Sequence, residues 1–313
     1  MEQFNNSSFI KSDEKSKLPK EQIEAPEVRP EKERAIAEFK EYIKKHQSEI
    51  DKQLQQGRNL AKFFYHNFYN KNIDKAKYKE NDPAIQKLAR EYTAQIKIIR
   101  ENLLREAQKE HNLMLANDNY WLYCDINGGF FNKTALGKFY LNLKPEYVGR
   151  IFLKTIREFS KAGLHSSMKI PTIGNVATFN RFDKMVIYFN PEEEREVLRA
   201  LENIYSNNLE AFDKTGIPRF TAEIKNQKGE KMVGVGFGEE PPFHNESFGT
   251  IRAKILADIY LKARKSHNSI LNPDFDFEST FRRICTNYQV DPQNPAFNLR
   301  KDSKNFSELK KRI

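Results

Sequence analysis

Cysteine is almost missing from this chain. Among 313 residues only Cys124 and Cys285 occur, far apart and with no Cys-x-x-Cys. Neither a disulfide framework nor a cysteine-based zinc site is indicated, and two buried free thiols are expected. Long apolar runs are missing too: nothing approaches the roughly 20 residues that a membrane-spanning helix needs. The opening MEQFNNSSFIKSDEKSK has no basic-then-apolar order and no small-residue cleavage site, so it does not read as a secretory signal. These absences point to a soluble, cytoplasmic protein with no membrane partner. The histidines His46, His66, His111, His165, His244 and His267 lack the paired spacing of a zinc helix. No G-x-S-x-G elbow is present, and Gly234, Gly236 and Gly238 follow neither the Rossmann spacing nor a P-loop with its lysine. Neither a metal nor an organic cofactor is expected.

Positive charge is in excess: 53 Lys and Arg face 43 Asp and Glu, a formal net charge of +10. Such a balance favours an anionic partner, whether nucleic acid, acidic peptide or phosphate group. Nucleic acid is not the expected choice, because no RNP strand, GXXG loop or basic region feeding heptads accompanies the charge.

Along the chain, residues 1–34 are rich in Lys, Glu, Ser, Asn and Pro, and carry too few large apolar groups to offset their ordering entropy; they are expected to be disordered. Residues 35–115 read as a helical bundle. Ile36, Phe39, Ile43, Ile50 and Leu54 recur at helical spacing up to Gly57, then Leu60, Phe63, Phe64 and Phe68 follow, and Asp82-Pro83 opens a third helix. Near Tyr120 the period changes to that of strands. YWLYCDI and KFYLNL read as a pair, SSMKIP and DKMVIYFN as two more, and FTAEIKNQKGEKMVGVGFG as a hairpin. Helices are expected over 145–162, 191–207 and 247–265, with a short one near Phe281. The fold class is α+β: an N-terminal helical bundle packed on a mixed or antiparallel sheet, with the second domain spanning 116–313.

Three basic clusters fall at strand ends or edges: Lys138 with Tyr140, His165 with Lys169, and Arg181 with Lys184. Strand alternation puts Lys138 and Tyr140 on one face and Phe139 and Leu141 on the other. An exposed face of solvated lysines is the plain alternative to a site. The segment GVGFGEEPPFHNESFGTIR ends in a helix capped at Ser247, whose first turn offers backbone N–H groups beside Arg252; such a helix start suits phosphate. Its glycines fit equally well a turn that needs close packing.

GKFYLNLKPEYV, then MKIP followed by RFDKMVIYF, then GVGFGEEP with SFGTIR together resemble the HopA-type effector family, which includes lyases of class V lanthipeptide and thioamitide biosynthesis. The similarity covers about residues 120–260. It implies a fold related to the phosphothreonine lyases, which eliminate phosphate from phosphoSer or phosphoThr without metal or organic cofactor and leave a dehydroamino acid. By this resemblance Lys138 and Tyr140 lie on the acid-bearing strand, with Tyr140 where those lyases have His. Lys169 matches the lysine that takes the α-proton, and Arg181 matches a phosphate-binding arginine. Lys184, Arg252 and Ser247 are further candidates for phosphate or peptide contact. The implied substrate is a ribosomally made precursor peptide phosphorylated by a separate Ser/Thr kinase. The alternative is a non-catalytic effector that grips a phosphorylated or acidic partner, acting inside a host cell if delivered there.

Overall fold

Helix α1 (Pro30–Gln55) opens with Glu31 and Glu33 in its first turn, where carboxylates complement the helix dipole. The computed structural model describes residues 30–70, 77–109, 112–128, 136–241, 246–267, 269–299 and 305–313. The expectation for residues 1–34 therefore lies largely outside the described residues, while 30–34 already belong to α1. That helix departs from helical backbone at His46 (φ −114°, ψ 16°). Its apolar stripe of Ala35, Phe39, Tyr42, Ile43 and Ile50 is buried throughout. Helix α2 (Leu60–Phe64) is capped by the Asn59 side chain and runs into a π turn, Tyr65–Tyr69. Helix α3 (Pro83–Lys109) buries Tyr92, Ile96, Ile99 and Leu103 along one stripe.

The sheet strands are β1 (Leu113–Asn117), β2 (Trp121–Ile126), β3 (Gly137–Leu141), β4 (Ser166–Pro171), β5 (Met185–Phe189), β6 (Ala222–Lys225) and β7 (Lys231–Glu239). They form one antiparallel sheet in the order β1-β2-β4-β5-β3-β7-β6. The pairing expected between YWLYCDI and KFYLNL does not occur. The first of these pairs with β1 and β4, and the second lies between β5 and β7. Strand β1, a run of five residues directly after α3, takes the partner position that the sequence reading gave to β3. The remaining helices are α4 (Val148–Lys161), α5 (Val176–Phe179), α6 (Glu194–Ser206), α7 (Phe248–His267), α8 (Phe277–Asn287) and α9 (Ser307–Arg312).

Alternation along the strands gives the sheet two unlike faces. One carries Phe139, Ile187, Phe189, Met168, Ile170, Leu122, Cys124 and Phe237, all buried in one cluster with α3, α4 and α6. Phe139 stacks on Phe189 with centroids 4.7 Å apart, and fully burying such a ring stabilises the fold by about 1.5–3 kcal/mol. A second cluster joins α1 and α2 to α7 and α8. The early helices therefore divide: α1 and α2 pack with the late helices, whereas α3 joins the other side of the sheet. Between the sheet and the second helical layer lies a small hydrophobic cluster of Tyr69, Tyr140, Val186 and Phe248. Both cysteines are buried free thiols, and no helix is long and apolar enough to cross a membrane among the described residues.

Candidate functional site on the polar face of the sheet

The strand register writes two rows of side chains across the second face, since paired residues of antiparallel strands point the same way. One row runs Asp125, Ser167, Tyr188, Lys138, Gly238, and the next Tyr123, Lys169, Val186, Tyr140, Gly236. Lysines of β3 and β4 thus converge without being near in sequence. The expectation that Lys138 and Tyr140 share a face, opposite Phe139 and Leu141, holds.

The glycines explain how this face is covered at one end. A Cβ on Gly238 would stand 2.6 Å from the Phe248 ring, and one on Gly236 would stand 2.7 Å from the Thr221 hydroxyl. Gly234 has φ +82°, a left-handed backbone that glycine adopts without strain. The glycine-rich segment is a strand that lets the start of α7 and the chain near Thr221 approach the sheet. Away from that end the cover thins, and Trp121, Tyr123, Lys169 and Tyr188 remain half-buried.

Lys169 sits in this opening. Its ammonium lies 4.5 Å from the Trp121 ring centroid, 5.8 Å from Tyr123 and 5.6 Å from Tyr188, an arrangement stabilised by the negative face of each ring. No described carboxylate forms an ion pair with it. Lys138 is buried, 4.6 Å over the same Tyr188 ring, and its Nζ pairs with Glu240 Oε2 at 2.5 Å. Burial pulls the Lys138 pKa down, but Tyr188 and Glu240 outweigh it and leave it above the ordinary value. Lys138 is therefore a fixed cation and no base.

Arg181 reaches the same opening, its guanidinium 5.3 Å from the Trp121 ring and 5.7 Å from Tyr120. It is held from behind by Asp183 through two hydrogen bonds of 2.7 and 2.8 Å. Burial would lower its pKa, and Asp183 more than reverses that. The bidentate pair fixes the fork in place. Tyr140 lies one row from Lys138 but is only 5% exposed, packed against Phe248 with centroids 5.9 Å apart. Burial first, then the neighbouring Tyr69 and Glu240, push its pKa well above 10.

Three candidates are set back from this opening. Lys184 directly precedes β5, and its Nζ donates to Asn142 Oδ1 (2.5 Å) and the Arg181 carbonyl (2.7 Å). Burial lowers its pKa to about 8 despite the pull of Asp213 and Asp183. Arg252, on α7, is buried over the Phe248 ring at 3.8 Å and donates to the Pro295 and Phe297 carbonyls. Burial lowers its pKa to about 10. The helix start at Ser247 does not present the free N–H groups expected of it. Glu240 Oε2 accepts from the Phe248 amide at 3.1 Å, and Ser247 Oγ from the Thr250 amide at 3.3 Å. A carboxylate of the chain itself occupies the anion position, because Glu240, directly after β7, reaches the foot of α7. His165 is likewise committed, with Nδ1 2.9 Å from Glu193 Oε1.

Glu240, Asp183, Trp121 and Tyr188 are the site residues that sequence reasoning missed. Parity along β5 could have put Tyr188 beside Lys138 only once the strand order was known. No cluster of three or more His, Cys, Asp or Glu suited to a metal occurs among the described residues.

Comparison with known proteins agrees with the architecture. The model of the HopA1 effector protein family matches residues 114–297. Among solved structures, the effector protein from Pseudomonas syringae pv. syringae strain 61 superposes with a TM-score of 0.54 at 14% identity, covering 86% of this chain and 99% of that one. The effector protein from Pseudomonas syringae pv. tomato strain DC3000 gives 0.52 at 14% identity with the same coverage. At that identity the likeness concerns the fold alone. No curated protein matches the sequence. The matched residues run from β1 to the segment gripped by Arg252 and contain every cation of the site, and the chain belongs to the HopA1 effector protein family.

Proposed function

We propose that this protein is a cofactor-free lyase that eliminates phosphate from phosphoSer or phosphoThr in a ribosomally made precursor peptide. The observation that carries the reading is the convergence of Lys138 and Lys169 on Tyr188, with Arg181 beside Lys169 on Trp121. Of these cations Lys169 alone is half-buried and forms no ion pair with a described carboxylate, so it is the amine most accessible to a ligand in the opening.

In the reaction the neutral Lys169 amine takes the proton from Cα of the phosphorylated residue. The C–H electron pair becomes the Cα=Cβ bond as the Cβ–O bond breaks, and the breaking bond's pair leaves on phosphate. PhosphoSer gives dehydroalanine, phosphoThr gives dehydrobutyrine, and Lys169 ends as an ammonium. Charge builds on the peptide carbonyl and on the leaving phosphate, and fixed cations that need no reorganisation stabilise both. Lys138 and Arg181 are such cations, held by Glu240 and Asp183. Tyr188, between the two lysines, is the phenol that a ligand in the opening would meet. Tyr140 supports the site from behind, through packing against Phe248.

A specific observation favours a second reading. The two ion pairs neutralise much of the positive charge, which suits a non-catalytic effector that holds a phosphorylated partner through few contacts. The experiment is mass spectrometry of a phosphoSer/phosphoThr peptide incubated with the protein without added metal or nucleotide. Loss of phosphoric acid, abolished in Lys169→Ala, is the expected result. An unchanged peptide that nonetheless binds would overturn the lyase in favour of the binding protein.

A further inference from the structure

The π turn Tyr65–Tyr69 and the residue after it hold an unusual set of buried groups. The Tyr69 hydroxyl, both polar atoms of the Asn70 amide and Arg252 Nη1 are buried, and none has a hydrogen-bond partner among the described residues. The three residues are each 1% exposed. A buried donor without an acceptor forfeits the hydrogen bonds it made to water, so groups left in this state call for an explanation.

A loosely held backbone does not supply one, because this stretch is pinned on both sides. The Phe68 carbonyl accepts from the Arg219 guanidinium, the Tyr69 carbonyl from the Arg219 amide at 3.2 Å, and the Asn70 carbonyl from the Phe182 amide at 3.2 Å. The chain is stitched to the segment that carries Arg181, while the side chains are left with donors unspent. Gly249 closes the arrangement from the other side. A Cβ there would stand 2.6 Å from the Tyr69 ring and 2.7 Å from Tyr65, so its absence lets both tyrosines pack on the first turn of α7. That turn is where Glu240 meets the Phe248 amide and Lys138.

Location ties the orphaned donors to the cationic opening. Tyr65 stacks on Tyr69 with centroids 5.7 Å apart and planes 14° apart, and it lies within electrostatic reach of both Lys138 and Arg181. Tyr69 itself lies within reach of Arg252 and Asp183; the nearby Tyr140 phenol acts on it without forming a well-shaped hydrogen bond. Tyr69 and Arg252 both pack on the Phe248 ring, 6.3 and 3.8 Å from its centroid, and the Phe248 amide shares Glu240 with Lys138; Asn70 follows Tyr69 directly in the chain. Unspent donors of this kind match a ligand that is all acceptor, and a phosphate group is one. A π turn is also a common device for presenting side chains at functional sites.

We propose that Tyr69 and Asn70, from the N-terminal helical region, donate with Arg252 to the phosphate group of a ligand bound at Lys138 and Lys169. This rests on the phosphate-site reading above and gives the N-terminal helices a part in the site beyond bracing the sheet.

The test is calorimetric titration of inorganic phosphate into the full chain and into Tyr69→Phe, Asn70→Ala and Asn70→Asp, with thermal melting of each protein in parallel. A lost hydrogen bond to a charged group corresponds to about tenfold or more weaker binding for Tyr69→Phe and Asn70→Ala. Asn70→Asp, which adds a repelling charge, weakens it further. Melting separates this from a structural role: removing an orphaned hydroxyl or amide leaves Tm of the phosphate-free protein unchanged or higher, whereas loss of a structural contact lowers it. Unchanged phosphate affinity in the variants, no phosphate binding by the parent chain, or weakened binding accompanied by a fall in Tm would each overturn the proposal. Because phosphate is a product and is not turned over, the result is independent of the elimination assay. A chain that binds phosphate through Tyr69 but eliminates nothing would sink the lyase and leave this inference standing.

Discussion

Lys138 and Glu240 meet at 2.5 Å at the foot of α7, where the same Glu240 oxygen also accepts the Phe248 amide. One carboxylate therefore fills the position that the helix start would offer an anion, and it neutralises the deepest lysine of the site. Glu240→Gln removes the charge while keeping the shape. Lys138 then remains as a buried cation without its partner, which costs about 3–5 kcal/mol of stability. Affinity for phosphate moves the opposite way and tightens, since a competing carboxylate is gone. Urea denaturation and phosphate titration on the same variant check both signs; a drop in affinity would mean that Glu240 does not compete with the ligand.

Lys169 is half-exposed, and its contacts are with three aromatic rings. Lys169→Ala gives up three cation–π contacts of about 0.5–1 kcal/mol each, a loss of about 1.5–3 kcal/mol that leaves the fold intact. Loss of a general base lowers the elimination rate by about 100-fold or more. Single-turnover conversion of a phosphopeptide, followed by mass, measures it. Retained elimination would move the base to another residue.

Lys184 makes a pH-dependent contribution whose sign follows from burial. Its folded pKa of about 8 lies below the ordinary 10.5. Between those values the unfolded chain binds a proton that the folded chain does not, so stability rises with pH through this window and is flat below it. Relative to Lys184→Met, the wild-type chain gains up to about 3 kcal/mol on going from pH 8 to roughly 10.5. The buried phenols Tyr69 and Tyr140 act in the other direction at the alkaline end and cancel in the comparison. Urea melts of both proteins across this range are the measurement, and a pH-independent difference would show that Lys184 stays charged when folded.

Gly249→Ala adds a methyl group where the Tyr69 and Tyr65 rings leave 2.6 and 2.7 Å. Alanine favours helix by about 0.8–1 kcal/mol over glycine, but overpacking a filled contact costs about 1–3 kcal/mol. The net effect is a lower Tm, together with weaker phosphate binding as the π turn is pushed from α7. A stabilised variant would mean that the turn yields freely.

The strand and helix periods made much of this fold legible. Alternation in GKFYL assigned Lys138 and Tyr140 to one face, and the stripes through Phe39, Ile43 and Ile50 and through Tyr92, Ile96 and Ile99 marked helices that are buried along those lines. The glycines of GVGFG announced close approach, and they do serve it. Period says nothing of partners, however. That YWLYCDI pairs with β1 and β4 instead of β3 depends on a five-residue strand too short to stand out and on contacts between distant segments. The division of the early helices between the two faces of the sheet was hidden for the same reason.

The site divides along the same line. By itself the sequence determined which residues carry charge, which strands they occupy and which face of each strand they share, because those properties are local and follow from side-chain chemistry and a two-residue repeat. Only the tertiary structure decided which charges remain available. It paired Lys138 with Glu240 and Arg181 with Asp183, buried Tyr140 and Arg252, turned Lys184 into a lysine held by carbonyl groups, and left Lys169 open over its aromatic rings. Burial and pairing are relations between residues far apart in the chain, and they set the local dielectric and the partner of each charge, on which its chemistry depends.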